Sequence, residues 1–238
     1  MAADMTPIPA TATAPVYSPA ATARAYDWTG FYVGGNVSYD RSNTDSTTVN
    51  TATGAVDNSG SISRSNFRGG GQFGFDYSMP WRLVVGVQFD ISTGDDHTTR
   101  FSNAAGTNQH SEESKTVAIG ALRARLGYAI ANVLLYGIGG WAWTDATTIR
   151  NQLIGKTGKA NPGVAESVPE NLSGWTAGAG LAYGFWHNWE VFAEYRYTSY
   201  LSNNVGFALA QRSTTSTTTS NSIAGGLSFK FDPFITRY

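Results

Sequence analysis

The 238-residue sequence predicts an all-β chain, an eight-stranded antiparallel transmembrane up-and-down β-barrel with long loops at one end and short turns at the other. Three observations predict it. Apolar and polar residues alternate with a period of two over about eight segments. The charged residues of those segments keep to one parity. The connections between segments alternate between long and short.

The first segment, 28–42, contains WTGFYVGGNVSYD. Phe31, Val33, Val37 and Tyr39 share one parity, and Tyr32, Gly34, Asn36, Ser38 and Asp40 share the other. Taken alone this leaves the inside undecided, because an apolar face turns inward in a soluble sandwich and outward in a membrane barrel. The second segment, 65–78, sets Phe67, Phe73, Phe75 and Tyr77 against Arg68, Gln72 and Asp76. The third, 81–92, sets Leu83, Val85, Val87, Phe89 and Ile91 against Arg82, Gln88 and Asp90. In the fourth, 115–128, Leu122, Ala124, Leu126 and Tyr128 oppose Arg123 and Arg125. The fifth, 133–145, reads VLLYGIGGWAWTD and is apolar on both parities; it is read with Leu134, Tyr136 and Ile138 outward, which turns Asp145 inward. The sixth is 173–185. In the seventh, 189–200, Val191, Ala193, Tyr195 and Tyr197 oppose Glu190, Glu194 and Arg196, and the eighth, 221–231, alternates through Ile223, Leu227, Phe229 and Phe231.

Charge parity decides the direction. A charged side chain facing lipid near the midplane costs up to about 2–4 kcal/mol, so several would exceed a net stability of about 5–15 kcal/mol. The charged parity therefore points inward, and Arg68, Asp76, Arg82, Asp90, Arg123, Arg125, Glu194 and Arg196 are expected to form an interior network. Within it Arg123, Arg125 and Arg196 should meet Glu194 and one or more of Asp40, Asp76 and Asp90. A barrel of this strand number is just wide enough to be filled by side chains. Steady conduction is not expected, and inward glycines should leave room for arginine and aromatic side chains.

The connections 43–64, 93–114, 146–172 and 201–220 are rich in Thr, Ser and Asn and read as long outer loops, whereas 78–81, 129–132 and 185–188 read as short periplasmic turns. An even strand number places both termini in the periplasm. Trp28, Tyr77, Trp81, Tyr128, Trp186 and Trp189 fall at the short-turn ends, where an interfacial aromatic girdle is expected.

Composition agrees. The chain has 27 Gly, 12 Tyr, 12 Phe and 7 Trp with 14% charged residues, which suits turn-rich strands. A formal net charge of −1 gives no basic face for nucleic acid. The absence of Cys excludes disulfides, thiolate metal sites and cysteine nucleophiles. Mean hydropathy, −0.23, says little because alternation hides the apolar signal of barrel strands. Two uncharged windows, 126–144 and 171–189, approach the length of a spanning helix but are broken by glycine, each costing a helix roughly 1 kcal/mol against Ala.

Residues 1–27 read as a Pro/Ala-rich periplasmic leader and 28–238 as the barrel domain. Pro7, Pro9, Pro15 and Pro19 suit an extended segment with no core of its own. MAAD at the start reads as the remains of an A-x-A-like cleavage site, with a mature end at Ala3.

Two apparent sites carry little. GGGQFG at 69–74 matches G-x-G-x-x-G, with Asp95 at a ribose-contacting distance in sequence, but it sits inside a strand with no helix after it. His97 and His110 share one loop with Asp95, Asp96, Glu112 and Glu113, which is commonly a solvated charged loop and alternatively a ligand set for metal or haem iron. His187 lies in a short turn, and no strand carries the histidine that a serine hydrolase triad needs. No catalytic residue, cofactor or metal site is expected, and the chain is read as a non-enzyme.

WTGFYVGGN after a Pro/Ala-rich leader, then FRGGGQFGFDY, LRARLGYA, LLYGIGGWAW, GWTAGAGLAYGFWHNWEVFAEYRY and IAGGLSFKF, together resemble the small outer-membrane β-barrel family of alphaproteobacteria. That family includes surface antigens and haemin-binding proteins and is related to the OmpA and opacity-protein barrels. The resemblance covers about residues 28–231. It implies an outer-membrane location, lipid and lipopolysaccharide around the barrel, and insertion machinery that reads an alternating terminal strand, here Leu227, Phe229 and Phe231. Family members usually end on that strand's aromatic, whereas here DPFITRY follows Phe231, so either Phe231 or Tyr238 could be the residue recognised. Some members join their N-terminal amine to peptidoglycan, which implies Ala3 as the attached residue and Asp4 as its determinant.

The function expected is therefore a structural outer-membrane barrel supporting envelope integrity, tethered through its leader. The alternatives are a narrow solute pore, a haemin-binding surface protein, and a soluble lipocalin-type barrel with its aromatic parity inside.

Overall fold

The computed structural model describes residues 26–94, 96–103, 108–154, 159–160, 166–207 and 212–231. Eleven strands follow in order: β1 Gly30–Asn50, β2 Val56–Ser78, β3 Leu83–Thr93, β4 Asp96–Asn103, β5 Asn108–Ile130, β6 Val133–Ile154, β7 Lys159–Ala160, β8 Glu166–Phe185, β9 Trp189–Tyr200, β10 Asn203–Phe207 and β11 Arg212–Phe231. Eight of them close a ring in the order β1, β2, β3, β5, β6, β8, β9, β11, every neighbour antiparallel, with β11 returning to β1 through Phe31 opposite Phe231. Closure leaves no edge in the wall, as a lipid-embedded sheet requires.

The burial pattern is the inverse of a soluble protein's. Leu126 is 61% exposed, Leu135 57% and Val87 55% on the outer face, while Asp76, Gln88 and Glu190 on the inner face are fully buried. An apolar outside of this extent is solvated by lipid, and the lipocalin alternative is thereby rejected. On β2 the outward aromatics run from Tyr77 to Phe67, about ten residues or 33 Å along the strand, which a tilt of about 40° reduces to about 25 Å, the height of a lipid-facing band. Trp81, Trp186, Tyr77 and Tyr128 mark the short-turn rim, and Trp141 and Trp175 lie outward toward the other end. Trp81 and Trp186 hold positive φ, 68° and 51°, a strained backbone that aims both indoles out of the turns.

Beyond the band most of the expected long loops are strand, and His97 in β4 and His110 in β5 overturn the expectation that no strand carries a histidine. β1 and β2 stay paired up to Val49 opposite Val56, past a register shift after Thr48, β1 and β11 up to Asn50 opposite Arg212, and β5 and β6 up to Asn108 opposite Ile154. The Thr-rich sequence that reads as loop is also good strand sequence, and inward hydroxyls pair across the ladder, Thr44 with Thr218 at 2.9 Å and Thr48 with Thr214 at 3.0 Å. Among the described residues, β4 pairs with β5 and not β2, and β10 pairs with β11 and not β8, which it nevertheless approaches. Above the band the described ladders therefore form two blades, β10–β11–β1–β2 and β4–β5–β6–β8 with β7 on β6.

Two sequence expectations are corrected here. Leu134, Tyr136 and Ile138 of β6 face inward, at 0, 2 and 5% exposure, and Asp145 is exposed. The tight turn at Ala131 and Asn132 pairs Tyr128 with Leu135 and Leu122 with Trp141, so the outward parity of β5 carries over to the odd residues of β6. Trp28 is 1% exposed inside the barrel instead of lying in the girdle. It precedes the first ladder residue, so strand parity does not govern it.

Candidate functional site in the lumen

The lumen is built from the inward parity of all eight wall strands, and its side chains form stacked tiers. Toward the blades, Arg68 Nε lies 3.5 Å from Asp40 Oδ2, which also accepts a hydrogen bond from Ser38 at 2.8 Å. Below, Arg123 pairs with Asp90, whose other oxygen lies 3.8 Å from Arg196. Arg196 also holds Glu194, through Nη2 at 2.5 Å and Nε at 2.6 Å to the same oxygen. These groups come from β3, β5 and β9, so the pairing spans the lumen instead of following the wall.

Arg125 is the central member. Its Nη1 donates to Asp76 Oδ2 at 2.9 Å, its Nη2 lies 3.7 Å from Glu194 Oε1, and its guanidinium sits 4.1 Å from the ring centre of Tyr136 and 5.3 Å from that of Tyr32. Tyr136 donates to Glu194 at 2.7 Å, which fixes the carboxylate between both arginines. Tyr32 donates to Gln88, Gln88 to Gln72, and Gln72 to Ser228 at 2.9 Å, so the polar contacts continue around the wall. Gly74 is needed opposite Tyr32, because a Cβ there would overlap the phenol ring.

Of the residues expected in the network, Arg68, Asp76, Asp90, Arg123, Arg125, Glu194 and Arg196 lie inside and are ion-paired as described. Arg82 does not. It is exposed in the turn Pro80–Arg82 with φ 66°, where the parity of β3 no longer applies. Missing from the expected set were Glu190 and Lys230, at 0 and 2% exposure, and the aromatic partners Tyr32 and Tyr136. Inward parity was legible at Glu190 and in SFKF for Lys230; the register of β6 hid Tyr136. Buried in the described lumen are the cations Arg68, Arg123, Arg125, Arg196 and Lys230 and the carboxylates Asp76, Asp90, Glu190 and Glu194, with half-buried Asp40 and Arg64 toward the blades. Pairing of opposite charges is what permits so many of them to be buried.

At the short-turn mouth the lumen turns apolar. Residues 26–29 fold into it, and Tyr26 and Trp28 join Val84, Leu134, Ala182 and Phe192 in one buried cluster. Lys230 covers both rings, 4.8 Å from the centre of Tyr26 and 5.5 Å from that of Trp28, and donates to the carbonyl of Asp27.

On the closing strand, Leu227 and Phe231 face outward at 42 and 47% exposure, and the Phe229 ring lies 5.2 Å from those of both Trp189 and Phe231. Ala3, Asp4 and Tyr238 lie outside the described residues, as does Asp95, and so do the side chains of Asp96, His97, His110, Glu112 and Glu113.

Residues 10–231 match the family model described as an outer membrane protein beta-barrel domain. The chain is 30% identical to the 31 kDa outer-membrane immunogenic protein of Brucella melitensis biotype 1, over 83% of this chain and 80% of that one. It is 28% identical to the 22 kDa outer membrane protein of Rhizobium leguminosarum bv. viciae, over 87% and 80%. Among solved structures, the outer membrane protein OprG from Pseudomonas aeruginosa is similar with a TM-score of 0.49 and 12% identity, over 88% of this chain and 99% of that one.

Proposed function

Because the chain belongs to the outer membrane protein beta-barrel domain family, and is an outer-membrane barrel, we propose that it is a sealed structural element of that membrane, acting in envelope integrity and not in transport or catalysis. The observation that carries this reading is the lumen. Ion-paired tiers centred on Arg125 and an apolar stopper at one mouth occupy it in series, which opposes a narrow solute pore. Asp76, Asp90 and Glu194 are committed to Arg123, Arg125 and Arg196, which supports a non-enzymatic role.

In this reading the short-turn rim and both chain ends face the periplasm, and the two blades stand outside. The surrounding partners are lipid and lipopolysaccharide, and the terminal strand with Leu227, Phe229 and Phe231 is what the insertion machinery engages. The leader then reaches from the mouth toward peptidoglycan: about 24 residues at about 3.1 Å each span roughly 75 Å. Ala3 is the proposed point of attachment and Asp4 its determinant. The haemin-binding alternative rests on His97 and His110, and nothing described favours it.

Loss of the chain is expected to sensitise cells to detergent and chelator without altering small-solute uptake, and the full precursor should restore resistance. Muramidase digests of sacculi should contain a muropeptide joined to the peptide that begins at Ala3. Unchanged detergent sensitivity would reject the envelope role; absence of the muropeptide, with the barrel in the membrane, would reject the tether alone.

A further inference from the structure

We infer that residues 26–29 are a releasable stopper, which docks in the short-turn mouth through Tyr26 and Trp28, is latched by Lys230, and on leaving opens the lower lumen to water and small solutes as far as the Arg125 tier. The segment stands apart from the wall. Its ladder pairing begins only at Gly30, and Gly30 holds φ 146°, a conformation that side-chain-bearing residues rarely adopt. Glycine there lets the chain leave the line of β1 and turn into the lumen, and it supplies the joint about which the segment swings.

The socket is shaped for the stopper. Gly184 lies against the Tyr26 ring, where any Cβ would collide with it, and Asn132 in the β5–β6 turn accepts the Tyr26 N–H at 3.1 Å. Thr29 accepts the Ser78 N–H at 3.1 Å. Lys230, on the closing strand, is the latch: it reaches the Asp27 carbonyl and lies over both rings at once. Opposing the docked state are buried polar atoms beside it. The Trp28 indole N–H, both oxygens of Glu190 and Oδ1 of Asp76 are buried without a hydrogen-bond partner among the described residues. Buried polar groups in that condition are costly, and water admitted by withdrawal of the stopper would satisfy them. Apolar docking favours the closed state and polar hydration favours the open one, which is the balance a two-state element needs. Residues 1–25 run directly into Tyr26, so a pull on them is delivered to the stopper.

The chain has no cysteine, which makes a single reporter clean. Ser228→Cys places a thiol deep in the lower lumen, at a position with 0% exposure opposite Glu190. A small charged thiol reagent is applied to the folded full-length barrel, and folding of every variant is checked by heat-modifiable migration. In the otherwise unaltered chain labelling should be slow, go to completion, and reach a rate that saturates with reagent, since release then limits it. Tyr26→Ala with Trp28→Ala should raise the rate by about tenfold or more. Gly184→Ala, which alters neither stopper nor latch, should do the same by crowding Tyr26 out, and Lys230→Met should raise it less. A thiol that is never labelled in the unaltered chain would make the segment a fixed plug and overturn the inference. So would a rate unmoved by both the double alanine variant and Gly184→Ala in correctly folded barrels.

Discussion

Arg125 shows how single residues hold this molecule together. A guanidinium with no side-chain exposure is tolerable because Asp76, Glu194 and two tyrosine rings surround it, and each of those depends on it in turn. Glu194 is the most shared carboxylate, engaging Arg125, Arg196 and Tyr136. Glu194→Ala would strand two buried cations, so a loss of about 3–5 kcal/mol is expected in urea unfolding followed by heat-modifiable migration. Arg82→Ala is the contrasting case. Its side chain is exposed in a turn, and the same measurement should shift by less than about 0.5 kcal/mol. Equal losses for the two would mean that the lumenal pairs do not govern stability.

At the scale of elements, the sequence was legible wherever one parity carried charge. The inward faces of β1, β2, β3, β5 and β9 follow from Asp40, Arg68, Asp76, Asp90, Arg123, Arg125, Glu194 and Arg196, because lipid forbids the other orientation. β6 carried no such mark, and choosing its register to turn Asp145 inward ignored a stronger constraint. A two-residue turn fixes cross-strand partners, so Ala131 and Asn132 tie Leu135 to Tyr128 and set the whole strand. Spin labels at Leu135→Cys should be relaxed by a lipid-soluble agent and those at Leu134→Cys should not; the reverse pattern would restore the rejected register. The blades were illegible for a different reason. Runs of Thr and Ser are equally polar as loop or as strand outside the membrane, and only pairing between distant segments, such as 43–50 with 212–219, distinguishes the two. The stopper carries no sequence signature, because Trp28 sits where a girdle residue is expected and no periodicity extends to it.

For the whole molecule, three features act together: a closed wall with an apolar exterior, an ion-paired filling and a stoppered mouth. The first places the chain in the membrane, and in the proposed reading the other two make it a seal instead of a passage. Stopper release and sealing are compatible, because the Arg125 tier stands beyond the stopper and is held by ion pairs of its own. The claim that the barrel is sealed is the one on which the structural role rests. It is tested most directly by incorporating the purified full-length chain in a planar lipid bilayer under an applied potential. No steady porin-like conductance is predicted, and reproducible large single-channel steps from the unaltered protein would contradict it.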